Sequence, residues 1–366
     1  MNEWQRLRSN PLAWISAVIL AILYLAAIGA DFLAPYNPYD ALKDSSVLPP
    51  TTIDWSQGGV VYPTTQGVID LETGERQLII DYSQPARLQI LHPGWSYNFL
   101  EVKLPLPQQD GSWAEVTIFP GIPSNLHLFV TTNDRARLYL LGTDTQGRDQ
   151  FSRLLFGARI SLSIGLVGTV IAFSIGAIVG GIAGYVGGAV DSVLMRLVEV
   201  LMSVPTIYLL ISLSAILPPQ MSNSQRFLLI TAITSLLSWA GLARVVRGQV
   251  LAIKNQDFVL CARAMGASSL HIIGRHILPQ TFTYLIIAAT ATIPSFILTE
   301  SALSLVGLGI QPPDPSWGNM LSISTNASVI VLQPWLIWSP VTLIIVTVLS
   351  FNILGDSLRD AFDPRQ

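Results

Sequence analysis

The sequence predicts an all-α polytopic membrane protein with six transmembrane helices and an extracytoplasmic, mostly β insert between the first two. Three observations predict it. The 366-residue chain is 51% hydrophobic and only 12% charged, and its mean hydropathy of +0.51 exceeds what a soluble domain normally carries. Six stretches have about the length of apolar chain, roughly 20 residues, that crosses the hydrocarbon of a bilayer. One long polar segment with alternating apolar positions separates the first stretch from the other five.

The six stretches are 12–30, 160–183, 193–217, 227–243, 282–307 and 335–353. The first reads as a retained span rather than a cleaved signal: it has no small-x-small end and runs into Asp31 and Pro35. Orientation follows from the short loops, where Lys and Arg favour the cytoplasm. With the N-terminus inside, the inner segments hold Arg6, Arg8, Arg196, Arg244, Arg247, Lys254, Arg263, Arg275, Arg359 and Arg365, against Arg226 alone in the short outer loops. Both termini are therefore expected in the cytoplasm. The domain division is 1–35 for the N-terminus and first helix, 36–141 for the extracytoplasmic insert, and 142–366 for a five-helix core with a cytoplasmic loop at 244–280.

Within the insert, "RQLIIDY" and "WAEVTIF" alternate apolar and polar residues beside the turn signals "ETGE" (72–75) and "QDGS" (109–112), the pattern of β-hairpins. Prolines at 85, 93, 105, 107, 120 and 123 are expected to divide it into short pieces, and a disordered linker is the alternative its Pro and Gly content allows. Next comes "GTDTQGRD", where Asp144, Arg148 and Asp149 either order an outer vestibule or cap the helix starting near Gln150. "GYVGG" reads as a tight inner turn over 185–188, with Asp191, Arg196 and Glu199 as a local charge set beside it.

The loop at 244–280 is half polar. Asn255 or Asp257 can cap a short helix with Phe258, Cys261 or Ala262, and Met265 on one face. Gly266 suits a C′ position, Ser268 or Ser269 can cap a second helix bearing Leu270, Ile273 and Ile277, and Pro279 is expected to stop it. Two short helices with an elbow at Gly266 result. Spacing alone leaves open whether they anchor to lipid or dock a cytoplasmic partner. In the fifth span Glu300 is the acid at depth, which can face a solute path, pair with a partner, or bond its own next turn, and Pro294 can kink the span into a gate.

Several functions are excluded or disfavoured. A net charge of -3 and dispersed basic residues give no footprint for nucleic acid. Cys261 is the single cysteine, and His92, His127, His271 and His276 lack metal-ligand spacing, so neither a disulfide framework nor a metal site is expected. The sequence contains no G-x-x-x-x-G-K-[ST] loop for nucleotide.

The run "QDFVLCARAMGASSLHIIGRHILP" resembles the EAA loop of ABC importer permeases, with Gly266, Leu278 and Pro279 at the family spacing. "LGTDTQGRDQFSRLLFGARISL", "GGIAGYVGGAVDSVLMR" and "ESALSLVGLGIQPPDPSWGNML" are similar to blocks of the C-type subunit of dipeptide/oligopeptide permeases. The likeness covers about 141–359 and the first span, and departs at Leu260 and Cys261, where the signature has an acid and an alanine. It implies a type I ABC importer fold in a bacterial inner membrane and a non-enzymatic subunit forming half of a peptide pore. The implied partners are a homologous permease, two ATPase subunits that use ATP and Mg, and an extracytoplasmic substrate-binding protein, all in the lipid bilayer. On this resemblance Ala262, Arg263, Met265, Gly266, Ala267 and Ser268 couple to the ATPase, and no cofactor resides in the chain. Nickel-chelate or antibiotic-peptide uptake uses the same permease type, and a membrane sensor is the reading from another class.

Overall fold

The protein is described by a computed structural model covering residues 10–362 except 70–75, 108–112, 134, 217 and 219–220. Twelve helices are named here in chain order: α1 (Pro11–Ile28), α2 (Ala30–Leu33), α3 (Gln150–Val186), α4 (Gly188–Ser203), α5 (Thr206–Ala215), α6 (Asn223–Ile253), α7 (Asp257–Ala264), α8 (Ser269–Ile272), α9 (Leu278–Leu305), α10 (Trp317–Met320), α11 (Ala327–Leu332) and α12 (Pro334–Phe362). A π turn (Ile273–Ile277) joins α8 to α9. Among the described residues, five helical stretches are long and apolar enough to cross a membrane: α1, α3, α6, the α8–α9 run and α12.

The expected single span at 193–217 is instead two helices, α4 and α5. Pro205 divides them: it lacks an N–H, and the residue before a proline is driven out of the helical region, as Val204 is at φ -93°, ψ 127°. At Pro279 the difference runs the other way. Helical structure passes through it because it occupies the first turn of α9, where the missing N–H costs least, and the π turn before it absorbs the irregularity. The fourth span also outruns its prediction. Helix α6 continues to Ile253, taking up the first ten residues of the segment 244–280.

The closest helix pairing is α3 on α6. Gly176, Gly180 and Gly184 stand one turn apart on α3, and a Cβ on them would lie 2.9 Å from Leu242, 2.4 Å from the Ala243 carbonyl and 2.8 Å from Val250. Small residues at four-residue spacing let helix backbones approach inside a bilayer, where the hydrophobic effect between helices is absent. Helix α9 closes on the same pair, with Phe296 against Gly168 and Ile293 and Ile297 against Gly165. Helices α1 and α12 complete the bundle around Leu20, Leu162, Ile344 and Phe351.

Among the described residues, seven antiparallel strands lie between α2 and α3: β1 (Val60–Val61), β2 (Thr64–Ile69), β3 (Arg76–Ile80), β4 (Ala86–Phe99), β5 (Val102–Pro107), β6 (Trp113–Phe119) and β7 (Ile122–Thr131). They pair as β1-β4-β7, β2-β3 and β5-β6. The turns predicted at 72–75 and 109–112 fall outside the described residues, yet the strands on either side of each are paired. Pro93, Pro105 and Pro107 do not interrupt their strands. Beyond Leu88, β4 is bonded on one side only among the described residues, and β5 pairs only with β6, so each proline can turn its missing donor to an open edge. Trp95 stacks near Phe156 and Phe129 near Phe151 of α3, while Ser224 of α6 donates to Glu115 of β6 at 2.7 Å. These contacts fix the insert side of the bundle, and the Gly266 elbow lies at the other, elbow side.

Packing at the seam is directly testable. Gly180→Ala should destabilise the protein by about 1–3 kcal/mol in thermal unfolding. Gly248→Ala, where a Cβ meets nothing within 4 Å, should be neutral or stabilise by up to about 1 kcal/mol. Equal effects of the two would contradict the seam.

Candidate functional site

The elbow is built by α7, Gly266 and α8. Helix α7 has Gln256 as its N-cap, and its side chain makes no capping bond. Asp257, expected as a cap, sits one residue later in the first turn, where its charge suits the helix dipole. The C-terminus is fully specified. Gly266 adopts φ +81°, its N–H donates to the Arg263 carbonyl at 3.0 Å, and the Ala267 N–H reaches back to the Ala262 carbonyl at 3.1 Å. That pair of bonds is a Schellman motif, which turns the chain where a side chain would strain it. Ser268 then caps α8 by accepting from the His271 N–H at 3.4 Å.

Burial divides the elbow into a root and a knob. Val259 and Ala262 are buried with Ile272 and Ile277 against Val246 and Val250 of α6. Arg263 lies over the Tyr185 ring at 6.0 Å, and Ala267 packs at the edge of the same cluster. Phe258 and Cys261 point outward, Met265 is 81% exposed and Leu270 75%. Of the face expected from spacing, Phe258, Cys261 and Met265 form the outer surface and Ala262 belongs to the root. Leu270, expected to share a face with Ile273 and Ile277, also joins the knob, because Ile273 turns inward toward Gly181 of α3 and Ile277 into the cluster with Val246 and Val250.

Deeper in the bundle Glu300 is 1% exposed. Its carboxylate accepts from Ser161 of α3 at 3.1 Å and from Ser304, one turn on, at 2.7 Å. Ser161 in turn accepts from the Trp317 N–H at 3.2 Å, and Ser304 from the Ile310 N–H at 3.1 Å. The structure thus places Glu300 in a polar knot joining α3, α9 and α10. Pro294 is buried in α9, whose helical course continues through it.

On the insert side, Asp144 accepts from the backbone of Gln146 and Arg148 and from the Arg148 side chain at 2.7 Å. Asp149 turns away from that pair and caps α3, accepting from the Ser152 N–H at 2.8 Å and its hydroxyl at 2.6 Å. Burial pushes the Asp149 carboxyl up to about 6, against the Ser152 bonds that pull it down.

Sequence reasoning missed two arginines. Arg247 clamps Asp191 with two bonds of 2.5 and 2.6 Å, tying α4 to α6, while Arg196 instead pairs with Glu199 on the surface. Arg153 lies 3.4 Å from Asp144 and holds the Pro38 and Pro313 carbonyls. A guanidinium in the first turn of an apolar helix must find acceptors, and that was the signal available for Arg153.

The fold defines a polytopic, helical membrane protein. Residues 176–366 match the family model for the binding-protein-dependent transport system inner membrane component, and residues 3–50 match the N-terminal transmembrane domain of oligopeptide transport permease C. The chain belongs to the first of these families. It is 43% identical over 224 residues to the dipeptide transport system permease protein DppC of Bacillus subtilis, covering 61% of this chain and 68% of that one. It is 39% identical over 256 residues to the oligopeptide transport system permease protein OppC of Escherichia coli, covering 70% and 78%. Among solved structures, an inward-facing MetNI methionine ABC transporter matches at 22% identity and a TM-score of 0.43, covering 58% of this chain and 98% of that one. Neither family model covers 51–175.

A pH prediction follows from Asp149. Its carboxyl titrates near 6 when folded and near 3.9 when unfolded, so folding takes up a proton between those values. Stability should therefore fall as pH rises from about 4 to about 6, by at most about 3 kcal/mol. Asp149→Asn, still able to cap, should flatten that part of an unfolding-midpoint profile. An unchanged profile would refute the assignment.

Proposed function

We propose that the chain is a transmembrane permease subunit of an ATP-driven ABC importer for peptides, forming half of a translocation pore with a homologous permease. The observation that carries this reading is the elbow: an apolar knob of Phe258, Met265 and Leu270 projects from a buried root that is continuous with the α3–α6 seam. A soluble partner that grips the knob would move α6, and with it α3, as one body. The chain contains no phosphate-cradling nucleotide loop, so ATP and Mg are assigned to two separate ATPase subunits on the elbow side. The coupling residues are then Ala262, Arg263, Met265, Gly266, Ala267 and Ser268, of which Met265 makes contact and the others hold the shape.

The remaining assignments belong to the same reading. The elbow faces the cytoplasm of a bacterial inner-membrane protein, with both termini on that side and the insert 36–141 outside, where a substrate-binding protein delivers solute. The α4–α5 pair serves as the third crossing, interrupted at Pro205, giving the six crossings of a type I importer. Peptides are the solute class because the relatives named above are dipeptide and oligopeptide permeases. Glu300 is assigned to holding the insert-side end of the bundle in register, and Pro294 to shaping α9.

The knob gives a clean test because its residues contribute little to packing. Met265→Glu with Leu270→Glu should leave membrane insertion unchanged and unfolding within about 0.5 kcal/mol of the parent. The same variant should lower ATPase copurification and ATP-dependent peptide uptake by roughly tenfold or more. Full uptake by a stably inserted double variant would overturn the docking role.

A further inference from the structure

A cavity of 210 Å³ opens on the insert side between the 144–153 segment, the 312–323 loop and the start of α12. Two guanidiniums line it, those of Arg148, 6% exposed, and Arg153, 3% exposed. Arg148 spends Nε and Nη2 on Oδ2 of Asp144, at 2.7 Å each. Arg153 has Nε 3.4 Å from the same oxygen and spends Nη1 on the carbonyls of Pro38 and Pro313, at 3.2 and 3.1 Å. Nη1 of Arg148 and Nη2 of Arg153 are left without a protein acceptor among the described residues. Both residues line the cavity, and the planar guanidinium fork suits a carboxylate.

The charges around the cavity support an anion. Its lining carries two cations and one anion, Asp144, whose oxygens are already engaged. Asp314 is the next carboxylate, outside the lining and bonded to the Tyr39 hydroxyl at 2.6 Å. Asp149 is turned into the helix cap. Gln150 has donated its amide to Leu336 and Ser339, which leaves the arginines as the charged donors at the wall. The cavity is smaller than the roughly 300 Å³ and upward that encloses a drug-sized ligand. It has room for one end of a small molecule, and its mouth is bordered by the exposed Thr145 and Gln146.

We propose that this cavity is a carboxylate-binding subsite in which Arg148 and Arg153 together receive the free carboxylate of a small peptide-like solute. Binding itself does not depend on the import reading; only its place on the solute path rests on that reading.

The test uses the full chain in lipid nanodiscs and equilibrium dialysis with labelled dialanine and with dialanine amide. Saturable binding of dialanine is expected below about 10 mM, with the amide roughly tenfold weaker or worse. Arg153→Lys should weaken binding by loss of the fork. Should that variant fold poorly, Ser322→Asp provides the second test, since Ser322 lines the cavity and a carboxylate placed there would occupy the arginines and abolish dialanine binding. Equal binding of acid and amide, no saturable binding, or full binding by a folded Ser322→Asp variant would overturn the subsite. Loss of ATPase copurification would instead strike the import reading and leave this result standing.

Discussion

The close contact of α3 with α6 is the constraint on which the rest of the structure depends. In a bilayer, lipid is as apolar as the helix surfaces, so burial does not drive two helices together; short-range packing does. Gly176, Gly180 and Gly184 supply that packing by removing the side chains that would hold the backbones apart. From this seam the other elements take their positions: α9 against Gly165 and Gly168, α4 through the Asp191–Arg247 clamp, and the elbow through Val246 and Val250.

The seam also determines what the elbow can transmit. Its root is buried on α6 itself rather than hung from a loose connection, so force applied to Met265 or Leu270 reaches the bundle through packed side chains. At the opposite end the Glu300 knot links α3 and α9 to the loop before α10 with hydroxyls on both carboxylate oxygens. The two ends therefore differ in kind. One presents an exposed apolar surface, and the other carries the Glu300 knot and the arginine-lined cavity.

Legibility in the sequence followed the range of the interactions. The Gly266 elbow and the Ser268 cap are local, set by residues within five positions, and were readable from spacing. So was the Asp149 cap. Pro205 was equally local but lay inside an apolar run whose hydropathy outweighed it, and the continuation through Pro279 depended on a π turn that no periodicity marks. Ser304, the near partner of Glu300, lies one turn on, within reach of sequence reasoning, whereas Ser161 and the Asp191 partner of Arg247 lie 139 and 56 residues away, and only the folded bundle brings them together. Which stripe of α7 is buried was likewise decided by where α6 runs.

The docking proposed for the elbow, with a nucleotide-hydrolysing protein as its occupant, can be tested directly. Cys261 is the only cysteine of the chain and is exposed on the knob, so a thiol-directed photocrosslinker can be attached there without any substitution. Illumination in native membranes followed by mass spectrometry of the adduct would then name what touches it. A soluble partner carrying a G-x-x-x-x-G-K-[ST] loop is expected, whereas adducts to lipid alone would contradict docking at the elbow.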